Sequence, residues 1–220
     1  MSKQAIIFGA TGAVGRQLLD LCLNGDIYQK VTVIARRPTS LSHAKLNWIV
    51  AEMNVLEDLP PNSGLGDGDA FCCLGTTIKA AGSKKAFRLV DYDYVINSVR
   101  FAKKCGIKTF SMISVVGADA KSNSFYNRTK AEVEVAVIAE KIPSLRIFRP
   151  SLLKGKRDDF RPMEVIGNIA SLLLTPLFFF GFRKYQPVEI EKLARALYKT
   201  ANEGNVDTVR IYESSELQSY

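Results

Sequence analysis

Apolar positions along the chain follow two patterns that alternate over most of its length. Gln4 to Phe8 is an apolar run of strand length, and Arg16 to Leu23 repeats its apolar residues at helical spacing. Runs at 30–35, 46–50, 70–74, 109–114, 145–148 and 208–212 also read as strands. Helical spacing covers 86–105, 126–141 and 188–202; the first of these stops at Gly106 and the second ahead of Pro143. The central strands are continuously apolar, which predicts a parallel sheet covered by helices on both faces. Residues 151–186 break the alternation and are expected to form a small C-terminal substrate lobe. The whole of 1–220 is read as one domain.

Between the first strand and the first helix stands Gly9-Ala10-Thr11-Gly12-Ala13-Val14-Gly15. Strand, glycine turn and helix in this order form the context of a dinucleotide site. Such a turn needs a tight bend at the first glycine, close backbone approach to a pyrophosphate at the second, and close helix–sheet contact at the third. The free N–H groups and positive end of the helix then face the anion. No Gly-Lys-Ser/Thr follows, so a P-loop is excluded. With this turn in place, the expected fold class is α/β, a Rossmann-like doubly wound parallel sheet with the small C-terminal lobe.

Charge narrows the partners less than the turn does. Thirty Lys and Arg against 22 Asp and Glu leave a formal charge of +8, which suits anionic ligands without choosing among them. No dense basic block carries interleaved aromatics, so a nucleic-acid surface is not expected. One histidine, His43, rules out a His-cluster metal site, and no metal is expected. Cys72 and Cys73 lie in an apolar run and read as buried small hydrophobes of a reducing compartment. The chain opens on a strand without a signal-peptide pattern, and a cytoplasmic home is expected. The stretch 165–182 nears the length of a membrane span. Asn168, Ser171 and Pro176 interrupt it, so it is assigned to the lobe and integral membrane association is not expected.

The strongest chemical signal is Tyr126-Asn127-Arg128-Thr129-Lys130. Residues four apart share a helix face, which brings the ammonium toward the phenol. A neighbouring cation favours phenolate and so suits general acid–base work on a carbonyl or alcohol. Ser114 ends the fifth strand just before this helix. In open α/β sheets, ligands bind beyond the carboxyl ends of the strands. The expected catalytic set is Ser114 to orient the substrate oxygen, Tyr126 as acid and base, and Lys130 to tune it and hold a cofactor ribose.

Arg36 and Arg37 follow the second strand, where an NAD site would carry Asp or Glu. Without that acid, and with guanidinium groups in its place, NADP(H) is expected in preference to NAD(H).

Taken together, the glycine turn, the Ser114, Tyr126 and Lys130 set and Arg149-Pro150 resemble an atypical short-chain dehydrogenase/reductase. Cys72 to Thr77, Val90 to Val95 and Arg149-Pro150-Ser151 resemble more specifically its HIV Tat-interacting-protein branch, which has bacterial relatives. The resemblance runs from residue 4 to about 153. It implies NADP(H) held through Gly9, Thr11, Gly12, Ala13, Val14 and Gly15, with Leu74, Gly75 and Thr76 beside ribose and phosphates and Pro150 near the nicotinamide. Two positions depart from the family pattern. Ser114 is followed by Val115 where many members have a second serine, and Asp91 stands where the wider superfamily has an active-site asparagine. The expected activity is an NADP(H)-dependent oxidoreductase acting on a small carbonyl or alcohol. The alternative is an NADP(H)-binding regulator or sensor that acts through a protein partner; a homo-oligomer fits either reading.

Overall fold

The computed structural model describes residues 3–60, 68–155, 185–203 and 208–220. The chain opens with β1 (Lys3–Phe8), α1 (Ala13–Asn24), β2 (Tyr28–Ala35) and β3 (Leu46–Val50). β4 (Asp69–Cys72) leads into two short helices, α2 (Ile78–Ala81) and α3 (Lys84–Arg88), and then α4 (Tyr94–Lys104). After these come β5 (Thr109–Ile113), α5 (Phe125–Ala139) and β6 (Ser144–Arg149). Two-residue strands β7 (Leu153–Lys154) and β8 (Val188–Glu189), helix α6 (Ile190–Thr200) and strand β9 (Val209–Glu213) complete the regular elements.

Seven strands form one sheet in the order β3-β2-β1-β4-β5-β6-β9, and every neighbouring pair is parallel. This is the Rossmann-like doubly wound sheet the apolar runs predict. Strand order reverses between β1 and β4, the switch point where such sheets bind ligands. Successive residues of β1 point to opposite faces and both faces are apolar. Ala5 and Ile7 join Leu18, Leu23, Leu193 and Leu197 on the α1 and α6 side. Ile6 and Phe8 join Val99, Phe101, Val133 and Val137 on the α4 and α5 side. Burial on two faces explains why the strands read as continuous rather than alternating.

The predicted helix over 86–105 is three pieces. Ser83 caps α3, accepting from the Ala86 N–H at 3.0 Å. A π-helical turn over Leu89–Asp93 follows, in which the Tyr94 N–H donates to the Leu89 carbonyl, and α4 resumes from there. At 188–202 the first two residues are strand, because Val188 and Glu189 pair with Leu153 and Lys154. The two flanks of residues 156–184 therefore meet. That segment holds most of the expected lobe and all of 165–182, which lie outside the described residues. Among the described residues no helix is long and apolar enough to cross a membrane, and no cluster of three metal-ligating side chains occurs.

Candidate functional site

The three glycines of the first turn do three different things. Gly9 has φ +79°, and a Cβ there would lie 2.8 Å from the Cys73 carbonyl carbon, so the turn presses on the end of β4. A Cβ at Gly15 would lie 2.2 Å from the Gly9 carbonyl oxygen, a distance no side chain survives. At Gly12 the nearest atom is that same oxygen at 3.4 Å, which leaves its outer side open. Gly12 is also the N-cap of α1, with no side chain closing the helix end and no acid in its first turn. Two glycines are thus fixed by packing, while the third leaves space and uncapped N–H groups at a helix N-terminus. That arrangement fits a dinucleotide pyrophosphate. Thr11 is exposed, Ala13 opens the helix, and Val14 packs into the core.

Register carries the second strand to the same level. Phe8 pairs with Ile34, so Arg36 stands two residues further on, beside the glycine turn. Arg36 and Arg37 are both exposed, and no ion pair among the described residues involves either.

Beyond β4 the chain passes from Leu74 through Gly75, whose missing side chain borders a buried ion pair. Asp91 Oδ1 lies 2.7 Å from Lys130 Nζ, and both residues are almost fully buried, at 0% and 3% exposure. A Cβ on Gly75 would stand 3.4 Å from that Asp91 oxygen and 4.0 Å from the Lys130 nitrogen. The other carboxylate oxygen accepts from the Thr76 N–H at 2.8 Å. Asp91 sits in the π-helical turn, a feature often found at functional sites. Burial works against the Lys130 charge, but the Asp91 carboxylate outweighs it and raises the ammonium's pKa.

Tyr126 lies one turn before Lys130 on α5, half-buried, with its ring against Phe87 of α3 at 5.2 Å between centroids. Desolvation raises the phenol's pKa; Lys130 opposes that shift and Asp91 reinforces it. The lowering expected from a bare lysine neighbour is therefore outweighed, chiefly by desolvation and to a smaller extent by Asp91.

Ser114 turns elsewhere. It is 4% exposed, and its hydroxyl donates to Glu134 Oε1. Arg149 holds the same carboxylate with two bonds, Nε to Oε1 at 3.1 Å and Nη2 to Oε2 at 2.6 Å. Its third nitrogen reaches Glu213 at 3.1 Å. The donor assigned to a substrate oxygen is committed to this network, which ties β5, α5, β6 and β9 together. Pro150 is buried, and its carbonyl accepts from the Val116 N–H at 2.9 Å.

Cys72 is buried and its thiol is pushed up to about 11, chiefly by desolvation. Cys73 is only half-buried, unlike the expectation for it.

A family model described as NAD(P)H-binding matches residues 9–154, more than half of the chain. The chain belongs to this NAD(P)H-binding family. Its relatives place it in the atypical short-chain dehydrogenase/reductase branch. Protein FMP52-1, mitochondrial, of Scheffersomyces stipitis is 32% identical over 219 residues, covering 97% of this chain and 96% of the relative. Protein HTATIP2 of Rattus norvegicus is 37% identical over 166 residues, covering 74% of this chain and 68% of its own length. Among solved structures, MoeE5 in complex with UDP-glucose and NAD superposes with TM-score 0.67 at 14% identity, over 98% of this chain and 80% of that one. The Bordetella bronchiseptica enzyme WbmG in complex with NAD gives TM-score 0.70 at 14% identity, over 98% and 74%. At such identity these structures speak for the fold alone.

The relatives correct one expectation. FMP52 proteins from several fungi are named mitochondrial, against the cytoplasmic home read from the N-terminus.

The structure brings two further carboxylates into this neighbourhood that the motif pattern does not assign to the site, Asp91 beside Lys130 and Glu134 beside Ser114 and Arg149. The signal for Asp91 in the sequence is a carboxylate where the wider superfamily has a neutral amide. For Glu134 it is its position four residues beyond Lys130, on the same helix face.

Proposed function

We propose that the protein is an NADP(H)-dependent oxidoreductase acting on a small carbonyl or alcohol compound. The observation that carries this reading is the contiguity of the Gly9 turn, Gly75 and the Lys130–Asp91 pair, with Tyr126 one turn away. In this reading Gly9, Thr11, Gly12, Ala13, Val14 and Gly15 hold the pyrophosphate, and Leu74, Gly75, Thr76 and Pro150 line the rest of the cofactor. Arg36, with Arg37 beside it, supplies the charge that meets a 2′-phosphate. The cofactor supplies the hydride. Tyr126 exchanges a proton with the substrate oxygen, and Lys130 stays charged next to the phenol and the ribose. Ser114 has to leave Glu134 to reach a substrate, so here it is given a positioning role for Glu134 and Arg149.

The engaged Ser114 hydroxyl also favours the second reading, an NADP(H)-binding sensor that works through a protein partner. NADPH oxidation measured against a panel of aldehydes, ketones and quinones separates the two. Turnover of any of them establishes the enzyme. Tight NADPH binding with no turnover across the panel turns the conclusion to the sensor.

A further inference from the structure

Of the groups in the candidate site, Asp91 is the one whose presence changes what the others can do. It is fully buried, and its two oxygens are divided between the Lys130 ammonium at 2.7 Å and the Thr76 N–H at 2.8 Å. The loop after β4 and the middle of α5 are joined through this single carboxylate. Its position depends on the π-helical turn at Leu89–Asp93, which is bounded by the Tyr94 N–H to Leu89 carbonyl bond. Helix α4 continues from that turn, so the widened backbone belongs to the site rather than to a helix end.

We propose that Asp91 is a positioning residue of this site: it clamps Lys130 against the loop after β4 and offsets its charge, which helps hold Tyr126 as a proton donor. The inference rests on the oxidoreductase reading. A lysine beside a neutral amide would draw the phenol toward phenolate, a shift of one to three units for an opposite charge within about 4–6 Å. Here the ammonium and carboxylate form a pair with no net charge. Desolvation is the largest influence on Tyr126 and favours the neutral phenol; Lys130 still opposes it, and Asp91 offsets part of that opposition.

The charged and titratable groups facing this phenol are few. Lys130 lies on its own helix, Asp91 comes from the π-helical turn, and the Cys72 thiol of β4 lies beyond Lys130. From α3 come the Phe87 ring and Lys84, whose ammonium lies 5.4 Å from the centroid of the adjoining Phe125 ring; Arg88 pairs with Glu132 at the surface. Reduction of a carbonyl takes a proton from the phenol, whereas oxidation of an alcohol returns one to a phenolate. A site that stays in the phenol form near neutrality is equipped for reduction and needs alkaline pH to run in reverse.

Asp91→Asn tests this, since the amide oxygen can still accept from Thr76 while the charge is gone. Tyr126 is titrated by tyrosinate absorbance in the cofactor-free protein, as the difference between each background and the same background carrying Tyr126→Phe. In the wild type the midpoint is expected at or above the ordinary tyrosine value of about 10. In Asp91→Asn it is expected to fall by at least about one unit. The alkaline limb of any NADPH-dependent reduction should move down with it. An unmoved midpoint in a folded Asp91→Asn protein overturns the proposal. So does a wild-type midpoint well below 10, which requires no variant of Asp91 to fold. NADPH titration of the wild type runs alongside: absence of binding there sinks the oxidoreductase reading and leaves the charge relationship to be judged on the tyrosinate data alone.

Discussion

Ser114 donates its hydroxyl hydrogen to Glu134, and Glu134 lies one helical turn beyond Lys130 on the same helix. The proposed proton donor Tyr126 and the carboxylate held by Ser114 and Arg149 thus sit near each other on α5. The two separate by mutation. Tyr126→Phe is expected to keep NADPH affinity and lower turnover by at least about 10²-fold, the lower range for general acid–base catalysis. Ser114→Ala removes a bond to a charged, buried acceptor and should cost about 1.5–3 kcal/mol of stability. Arg149 still satisfies Glu134 in that variant, so turnover should fall less than about tenfold, well short of the acid–base range. Paired denaturation and rate measurements decide the matter. A Ser114→Ala protein as stable as wild type and as slow as Tyr126→Phe would return Ser114 to the chemistry.

Arg36 is exposed beside the glycine turn, with no acid at the end of β2. A guanidinium matches phosphate oxygens with a planar fork of donors and stays charged at any working pH. Charge-assisted bonds of this kind contribute about 1.5–3 kcal/mol. Arg36→Ala is therefore expected to weaken NADPH binding by roughly ten- to a hundredfold and to leave NADH nearly unchanged. Titrating both cofactors against both proteins checks it. Equal wild-type affinity for the two would remove the assignment.

At the opposite end of the strands, Tyr28 donates its hydroxyl to Asp69 Oδ2 at 2.7 Å, with Lys3 at 3.2 Å from the same oxygen. Asp69 is fully buried and its other oxygen has no hydrogen-bond partner among the described residues. Tyr28→Phe leaves a buried carboxylate short of a donor and is expected to cost about 1–3 kcal/mol. NADPH affinity should not change, because this cluster sits at the amino ends of β1 and β4. A chemical denaturation curve with an unshifted midpoint would contradict it.

Most of the sheet was legible because both its faces are buried, which leaves continuous apolar runs such as Ala5 to Phe8 and Ala70 to Cys72. The glycine turn was legible because packing leaves no other residue type at Gly9 and Gly15. Helix boundaries between 77 and 105 were not. Thr77 and Ser83 each cap a short helix through their side chains, yet neither is followed by enough periodic residues to stand out. The Tyr126 and Lys130 spacing could be read, but not the sign of its effect on the phenol. That sign depends chiefly on how far the phenol is desolvated in the fold, with a smaller contribution from Asp91, which is distant in sequence.

Gly12 and Gly15 provide the sharpest separation of folding from binding. A methyl group at Gly15 would stand 2.2 Å from the Gly9 carbonyl oxygen and 2.9 Å from Ala10 Cα, both backbone atoms that cannot step aside. Gly15→Ala must push α1 away from the turn, an overpacking cost of about 1–3 kcal/mol or more, and loses cofactor binding with it. At Gly12 the backbone has φ −76°, which any residue adopts, and the nearest atom to an added methyl is 3.4 Å away. Gly12→Ala should fold with a thermal midpoint close to that of wild type. The methyl would occupy the open side of the turn, where a pyrophosphate has to approach the backbone. NADPH affinity is therefore expected to fall at least about tenfold in Gly12→Ala, a loss of about 1.4 kcal/mol. Thermal denaturation and NADPH titration of the two variants give the comparison. Wild-type affinity in Gly12→Ala would mean that the cofactor's phosphates do not lie over this turn.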